Sequence, residues 1–236
     1  MRALSLFSGI GGLDIAADWC DIEPVSFCEI DPYARAVLAK QWPEVPIHPD
    51  IRTLDATALK VGIVYGGFPC QDLSTAGKGE GLTGERSGLW YEMLRVIGEC
   101  RPRWVLVENV VGAINLALDT IAMGLEAGGY KVWAYVVPAL AFGALHRRER
   151  LFVVGCRADD IPDIDLQREL QPERGLEDKW RRAVHNPWRR GERGVARVVY
   201  GIPRSVDRIR VLANAVVSQQ AYPIFRAIAE MEAMAP

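Results

Sequence analysis

Short hydrophobic runs alternate with helical patterns of hydrophobic and polar residues over the first two thirds of the chain. The runs predict strands at residues 3–7, 25–29, 63–67 and 105–110, and the periodic segments predict helices at residues 13–19, 33–41, 89–100 and 116–127. This alternation predicts an α/β fold with a mostly parallel sheet covered by helices on both faces. Two more strand-like segments, residues 131–138 and 150–156, follow without a long helix between them, so we expect the sheet to end in an antiparallel pair.

The pattern changes at residue 157. Prolines, charged residues and a scarcity of aliphatic side chains up to about residue 200 predict a small loop-rich insert rather than a second core. Residues 209–231 then have the periodicity of an amphipathic helix, which we expect to be broken near Pro223 because proline cannot complete a helical hydrogen bond. One domain is therefore predicted from residues 1–156 and 205–236, with residues 157–204 inserted into it.

Composition restricts the class of protein. With 236 residues, half of them hydrophobic and a quarter charged, the chain can form one sizeable core. No apolar run approaches the roughly 18 residues that a membrane span requires, and the N-terminus lacks a signal-peptide layout, so we expect a soluble cytoplasmic protein with no membrane partner. The five cysteines have neither framework nor metal-site spacing, which favours reduced thiols and predicts no metal.

The net charge of −2 favours no particular partner, but the distribution of charge does. Residues 181–210 contain nine arginines and two acidic residues, a local charge of +7, and Trp180 and Trp188 lie beside or within this stretch. Arginine can bind phosphate through two hydrogen bonds and indole can stack on bases, so this stretch is a candidate nucleic-acid surface. A solvated charged face is the alternative for an isolated run of this kind.

Glycines and acidic residues follow the first predicted strands. The turn Phe7-Ser8-Gly9-Ile10-Gly11-Gly12 opens a helix, where glycines let backbone amides approach a ligand closely. Asp14 stands where the GxGxxG pyrophosphate motif requires its third glycine, so that motif is absent. Glu29 can accept hydrogen bonds from ribose hydroxyls and Ile30 can cover a purine, although the same segment also fits a helix N-cap. Asp50 could bind an adenine amino group or cap a turn.

Two further strand ends carry reactive groups. Gly67-Phe68-Pro69-Cys70-Gln71 places a thiol on the turn that leaves a buried strand, where partial exposure would suit a nucleophile, and an inert buried thiol is the alternative. Glu108-Asn109-Val110 ends an apolar strand, where burial would raise the pKa of Glu108 and suit it to donate a proton. Arg147, Arg148 and Arg150 gather beside the same edge, where guanidinium groups can hold a carboxylate or a base carbonyl.

In this order, these segments resemble the DNA cytosine-5 methyltransferase family over nearly the whole chain. The glycine turn is similar to the family's first S-adenosylmethionine motif, residues 67–71 to its nucleophile motif, and residues 108–110 to its ENV motif. Residues 148–150 match its RxR motif, and Leu212-Ala213-Asn214-Ala215-Val216-Val217 is similar to its late GNxV motif, with alanine in place of the glycine. His146 and Pro49 depart from the glutamine and glycine usual in the family.

The resemblance implies a Rossmann-like, S-adenosylmethionine-dependent methyltransferase sheet and methyl transfer to C5 of a cytosine flipped out of duplex DNA. In that reaction Cys70 attacks C6, and Glu108 hydrogen-bonds or protonates N3. Arg150, with Arg148 nearby, grips the base and orients Glu108. The glycine-rich residues 72–88 are similar to the family's catalytic loop, and residues 157–204 would form a minimal target-recognition region.

The resemblance also assigns residues to binding. For the cofactor, S-adenosyl-L-methionine, it implies Phe7, Gly9, Gly11, Gly12, Glu29, Ile30, Asp50, Pro69, Asn214 and Ala215, and for DNA it implies Gln71, Ser74, Arg189 and Arg190. Double-stranded DNA is the expected partner of a chain that we expect to be monomeric. A cognate restriction endonuclease is a further candidate partner.

Other functions remain open from the sequence. An RNA cytosine-5 methyltransferase on the same scaffold lacks support because the Cys-Phe-Thr motif of the transfer-RNA branch is absent. A non-catalytic DNA-binding relative is opposed by the intact Cys70, Glu108 and Arg150. A nicotinamide oxidoreductase is disfavoured by the missing third glycine, and a cysteine hydrolase by the presence of only three histidines.

Overall fold

The computed structural model describes residues 1–69, 88–114, 117–142, 148–157, 159 and 216–234. Its strands are β1 (Arg2–Leu6), β2 (Glu23–Cys28), β3 (Ile47–His48), β4 (Ile63–Gly66), β5 (Trp104–Val110), β6 (Tyr130–Pro138) and β7 (Glu149–Arg157). Its helices are α1 (Gly12–Asp18), α2 (Pro32–Gln41), α3 (Leu89–Cys100), α4 (Leu118–Ala127) and α5 (Ser218–Ala233), with 3-10 turns at Ile51–Thr53, Val111–Ala113 and Ala139–Phe142. The strands and helices predicted from the hydrophobic pattern all have counterparts among these elements.

The seven strands form one sheet in the order β3-β2-β1-β4-β5-β7-β6. The neighbouring pairs from β3 to β5 are parallel, whereas β7 is antiparallel to both β5 and β6. The prediction of a mostly parallel sheet is therefore confirmed. The antiparallel pair is present too, and β7 lies between β5 and β6, so the last strand among the described residues is inside the sheet and β6 is at its edge.

Helices cover both faces of the sheet, as predicted, and each face has its own hydrophobic layer. On one face, Trp90 and Met93 of α3 and Ile121 of α4 pack against strand residues. On the other, α1 and α5 pack together over β1, β4 and β5, with Phe225 of α5 in edge contact with Tyr65 of β4 at a ring separation of 5.0 Å. Burial on both faces explains why the central strands are almost entirely hydrophobic.

Helix α5 continues through Pro223, so the prediction of a break at this proline is wrong. A proline inside a helix removes one backbone hydrogen bond and costs about 3 kcal/mol. Burial of Ile224, Phe225 and Ile228 against the sheet offsets that cost, since each large apolar side chain contributes roughly 1.5–3 kcal/mol when buried. Tertiary packing, which a local pattern does not contain, keeps the helix continuous.

The predicted insert, residues 157–204, lies outside the described residues except for positions 157 and 159. The division of the chain into a catalytic domain and an insert thus remains a prediction. Within the part of the chain that the structure describes, no helix has the length and apolar character needed to cross a membrane.

Candidate active site

The sheet changes winding direction between β1 and β4. The chain runs outward from β1 to β2 and β3 on one side, then returns to the other side of β1 for β4 and β5. In such sheets the loops at the carboxyl ends of the two central strands diverge and leave a crevice that binds ligands. Here those loops are the glycine turn after β1 and residues 67–69 after β4, and the predicted site residues that are described lie along this edge.

The glycine turn is a tight, left-handed segment. Phe7 has a φ of 52°, Gly9 of 56° and Gly11 of 88°, values that favour glycine and are uncommon for a residue such as phenylalanine. A Cβ on Gly11 would also lie within 2.6 Å of the ring of Trp42, which fills the space behind the turn. These contacts explain the need for glycine at position 11 and hold the N-terminus of α1 toward the crevice.

The C-terminal segment reaches the same turn from the opposite end of the chain. A Cβ on Gly12 would lie 2.7 Å from the carbonyl oxygen of Val216, and the Ser218 hydroxyl donates a 2.7 Å hydrogen bond to the Gly12 carbonyl. Asn214 and Ala215, which directly precede Val216, lie outside the described residues. The close approach at Gly12 brings the segment that begins at Val216 to the edge of the sheet that carries the glycine turn.

Glu29, at the carboxyl end of β2, lies beside the glycine turn. Its Oε2 accepts a 2.7 Å hydrogen bond from the Gly9 N–H, and its Oε1 accepts a 2.8 Å bond from the Asp31 N–H. Each carboxylate oxygen can accept more than one hydrogen bond, so this geometry leaves capacity for hydroxyl donors. Ile30 is 64% exposed, and Arg35 donates to its carbonyl oxygen at 2.7 Å, which fixes the backbone that presents this apolar side chain.

Asp50 caps a turn, which is one of the two roles that the sequence indicated for it. Its carboxylate accepts a 3.0 Å hydrogen bond from the Arg52 backbone N–H at the start of a 3-10 turn. The guanidinium of Arg52 also donates to both carboxylate oxygens, and these hydrogen bonds hold the pKa of Asp50 below its usual range. Because Arg52 is largely exposed, Asp50 can exchange this ion pair for another hydrogen-bond partner at little cost.

Glu108 is the most strongly perturbed acid on this edge. Only 8% of the residue is exposed, and burial raises the pKa of its carboxyl group from 4.5 to about 7 although Arg150 and Arg148 act in the opposite direction. Arg150 Nε lies 2.9 Å from Glu108 Oε1. The two side chains come from adjacent antiparallel strands. Arg150 of β7 pairs with Val110 of β5, two residues beyond Glu108.

The backbone of the residue 67–69 loop lies directly against Glu108. A Cβ on Gly67 would be 2.5 Å from Glu108 Oε2, so this glycine allows the loop to approach the carboxylate. Phe68 is buried against Trp90 of α3, with their rings 5.8 Å apart, and anchors the loop from behind. Pro69 is the last described residue of this loop, and Cys70, which follows it in the sequence, lies outside the described residues.

Arg148 precedes β7 with a φ of 28°, a left-handed conformation that is uncommon for arginine. Burial and the neighbouring charge of Arg150 lower the pKa of its guanidinium group. The structure thus brings Glu108, Arg148 and Arg150 together. Several other predicted site residues, namely Cys70, Gln71, Ser74, Arg189, Arg190, Asn214 and Ala215, lie outside the described residues.

A buried polar group beneath the glycine turn was not predicted. Asp14 of α1 is fully buried, accepts a 2.8 Å hydrogen bond from the Tyr65 hydroxyl of β4, and has a pKa raised to about 6 by burial. Ser5 donates to Ser8 in the same region. The sequence signal was an aspartate between apolar residues on the helix that follows the glycine turn. The bond from Tyr65 to Asp14 ties α1 to β4 on either side of the crevice.

Together these features describe a site with defined chemical capacity. A carboxyl group with a pKa near neutrality can donate a proton, a guanidinium group beside it can bind a carbonyl, and an adjacent strand-end loop leads to a thiol. The glycine turn and Glu29 border the other half of the crevice, where backbone N–H groups and a carboxylate suit a nucleoside. Among the described residues no cluster of side chains suited to a metal ion is found.

Comparison with known proteins agrees with this arrangement. The profile of the family described as C-5 cytosine-specific DNA methylase matches residues 1–189. Type II methyltransferase M2.BsuMI of Bacillus subtilis (strain 168) is 36% identical over 217 residues, which cover 86% of this chain and 55% of that protein. Type II methyltransferase M.FnuDI of Fusobacterium nucleatum is 35% identical over 164 residues, which cover 67% of this chain and 48% of that protein. The chain thus spans about half the length of the curated relatives it matches.

The solved structure of the S. pombe Dnmt2 methyltransferase has the same fold. It superimposes with a TM-score of 0.61 at 22% sequence identity, over 72% of this chain and 55% of that one.

Proposed function

The chain belongs to the C-5 cytosine-specific DNA methylase family, and from this premise we propose that it transfers a methyl group from S-adenosyl-L-methionine to C5 of a cytosine in duplex DNA. The observation that carries the proposal is Glu108, a buried carboxyl group with a pKa of about 7, held by Arg150 beside the loop that leads to Cys70. Type II methyltransferases among the relatives support the same activity.

In the proposed reaction Cys70 acts as its thiolate and forms a bond to C6 of the cytosine, which pushes electron density into the ring. Glu108 gives a proton or a strong hydrogen bond to N3, so the ring does not accumulate negative charge while C5 becomes nucleophilic. Arg150 binds the base carbonyl and keeps the Glu108 carboxyl group in place. After C5 is methylated its proton leaves to a base or water, the sulfur–C6 bond breaks to restore the Cys70 thiolate, and N3 returns to Glu108 the proton that it received.

The residues at the other half of the crevice fit the cofactor, whose sulfonium supplies the methyl group when it is bound. Glu29 has unused acceptor capacity for ribose hydroxyls, and the exposed Ile30 offers an apolar surface for adenine. Asp50 would turn from Arg52 toward the adenine amino group. Phe7, Gly9, Gly11, Gly12, Pro69, Asn214 and Ala215 complete the set of residues that we propose for the cofactor.

Cytosine C5 and C6 are inaccessible inside a duplex, so the base must be flipped into the site. We propose that residues 72–88, with Gln71 and Ser74 among the DNA contacts, close over the flipped base and exclude water. Residues 157–204 would read the surrounding sequence, and residues 1–156 with 205–236 would form the catalytic domain.

The proposal is tested by bisulfite sequencing of DNA from cells that express the chain. Methylation at C5 protects cytosine from deamination, so we expect protected cytosines in a fixed sequence context that are absent from cells carrying the empty vector. RNA from the same cells, treated in the same way, tests the RNA methyltransferase alternative. Full conversion of DNA cytosines despite expression of folded protein would contradict the proposed activity.

The arginine-rich stretch leads to a prediction about DNA affinity. Charge reversal of Arg189 and Arg190 to glutamate should weaken duplex binding and reduce the salt dependence of the association constant by about 0.9 in log–log slope for each phosphate that the variant no longer neutralises. Binding isotherms at several salt concentrations measure this. Reversal of Arg226, which pairs with Glu230 on α5, is a matched control and should leave the slope unchanged. Equal affinity and slope in parent and variant would assign the stretch to a solvated surface.

The remaining partner proposals follow from the same family. We propose that the chain acts in the cytoplasm, on double-stranded DNA, as a monomer. The relatives named as type II methyltransferases support a cognate restriction endonuclease as a functional partner, although not as a physical one.

A further inference from the structure

Gln220 of α5 is a glutamine inside the hydrophobic layer, with no exposed surface. Its Nε2 donates hydrogen bonds to the carbonyl oxygens of Val137, at the end of β6, and Arg148, just before β7. Both N–H donors of the amide are thus used, while its Oε1 accepts no bond within the described residues. A buried amide with an unmet acceptor lowers stability. The presence of glutamine at this position is therefore explained by its two donated bonds rather than by a gain in stability.

Both carbonyl groups belong to residues near Arg150, one across the ladder and one along the chain. Val137 pairs with Arg150 in the β6–β7 ladder, and Arg148 precedes Arg150 by two residues. At the next position outward, Pro138 stands opposite Glu149 and has no N–H to donate to the ladder. The Gln220 side chain therefore bridges β6 and β7 at the end of the hairpin where the chain connects the two strands.

The backbone at this end of the hairpin is held in an uncommon conformation. Arg148 has a positive φ of 28°, which for a non-glycine residue persists when surrounding contacts enforce it. The bond from Gln220 to the Arg148 carbonyl is such a contact, and it comes from a helix about 70 residues further along the chain. This bond thus joins α5 to the segment that carries the side chains of Arg148 and Arg150.

We propose that Gln220 is a positioning residue, which fixes the start of β7 so that the Arg150 guanidinium stays on Glu108 and on the base carbonyl. The proposal rests on the function proposed above. It makes α5 part of the active-site support, although α5 contributes no side chain to the reacting atoms.

A measurable consequence concerns Glu108. The charged groups that face its carboxyl group, within the described part of the chain, are Arg150 and Arg148, both on the segment that Gln220 holds. Their positive charges favour the ionised form of the carboxyl, so a looser segment lets the pKa of Glu108 rise further. Because Glu108 must be protonated to neutralise N3, the limb of the activity profile that Glu108 controls would move to higher pH.

The test compares Gln220→Met, which keeps the side-chain length and removes both donors, with Gln219→Met on the neighbouring half-buried position as control. For Gln220→Met we expect kcat/KM on duplex DNA to fall roughly 10- to 100-fold, as for a small misplacement of a binding group. We also expect the limb of its pH profile that Glu108 controls to move upward by up to about one pH unit. A merely structural role would lower the amount of active protein and leave the position of the limb unchanged.

A second readout does not depend on turnover. The carboxyl carbon of Glu108, identified by its loss in Glu108→Gln, can be titrated by NMR in labelled protein. A higher pKa in Gln220→Met than in the parent and the control supports the proposal, whereas equal pKa values overturn it. If the parent protein proves inactive on DNA, the proposed function fails while this titration still decides the role of Gln220. If Gln220→Met does not fold, Gln220→Asn, shorter by one methylene, serves in its place.

Discussion

Replacement of Cys70 by serine is expected to lower methyl transfer to duplex DNA by about 10⁴-fold or more, the scale seen when a catalytic nucleophile is removed. A thiol ionises with a pKa of about 8.5, so roughly 3% is already thiolate at pH 7, whereas a serine hydroxyl is almost never ionised. Transfer of label from S-adenosylmethionine to DNA measures the effect. Cofactor affinity, measured by calorimetry, should change little because no bond to the cofactor is proposed for the thiol.

Cys100→Ser is a matched control for this substitution. Cys100 is half-buried at the end of α3, and burial raises the pKa of its thiol to about 11, so it has almost no thiolate at neutral pH. Burial likewise raises the pKa of Cys20 and Cys28 to about 12. The control should retain the activity of the parent. Unchanged turnover in Cys70→Ser would contradict covalent catalysis by this thiol.

The parts of the fold that were predictable depend on contacts close in sequence. Helix α3 has the bounds that its hydrophobic periodicity predicts, Leu89–Cys100, because the pattern continues over three turns. Glu29 and Glu108 could be assigned to one edge because parallel strands end at the same side of a sheet. The strand-end position also predicted a raised pKa for Glu108, and burial raises it to about 7.

The features that were not predictable join distant segments. The approach of Gly67 to Glu108, the bond between Asp14 and Tyr65, and the bridge from Gln220 to the β6–β7 hairpin each connect residues more than 35 positions apart. No periodicity or propensity encodes which of these side chains meet. The prediction of a helix break at Pro223 failed for the same reason, because packing against the sheet overrides the local tendency of proline to end a helix.

Replacement of Glu108 by glutamine is expected to lower kcat/KM by roughly 10²- to 10⁴-fold, the usual contribution of a positioned general acid. Glutamine keeps the size of the side chain and can still hydrogen-bond to N3, but it cannot release a proton to the ring. The change also removes the ion pair with Arg150, whose Nε lies 2.9 Å from the carboxylate in the parent. Steady-state kinetics on a duplex substrate measure the loss. Glu99→Gln is the matched control, because Glu99 is a half-buried glutamate that pairs with Arg95 on α3, away from the crevice.

The pH profile separates the role of Glu108 from a general loss of structure. Burial raises the pKa of Glu108 to about 7, and the protonated form is the active one, so the contribution of this group to kcat/KM should be constant below pH 7 and fall with rising pH above it. The opposite, acidic limb reflects ionisation of the Cys70 thiol. Glutamine does not titrate, so Glu108→Gln should lose the alkaline limb and keep the acidic one, whereas Glu99→Gln should keep both. An alkaline limb that persists in Glu108→Gln would show that another group controls it, and Glu108 would then act by hydrogen bonding alone.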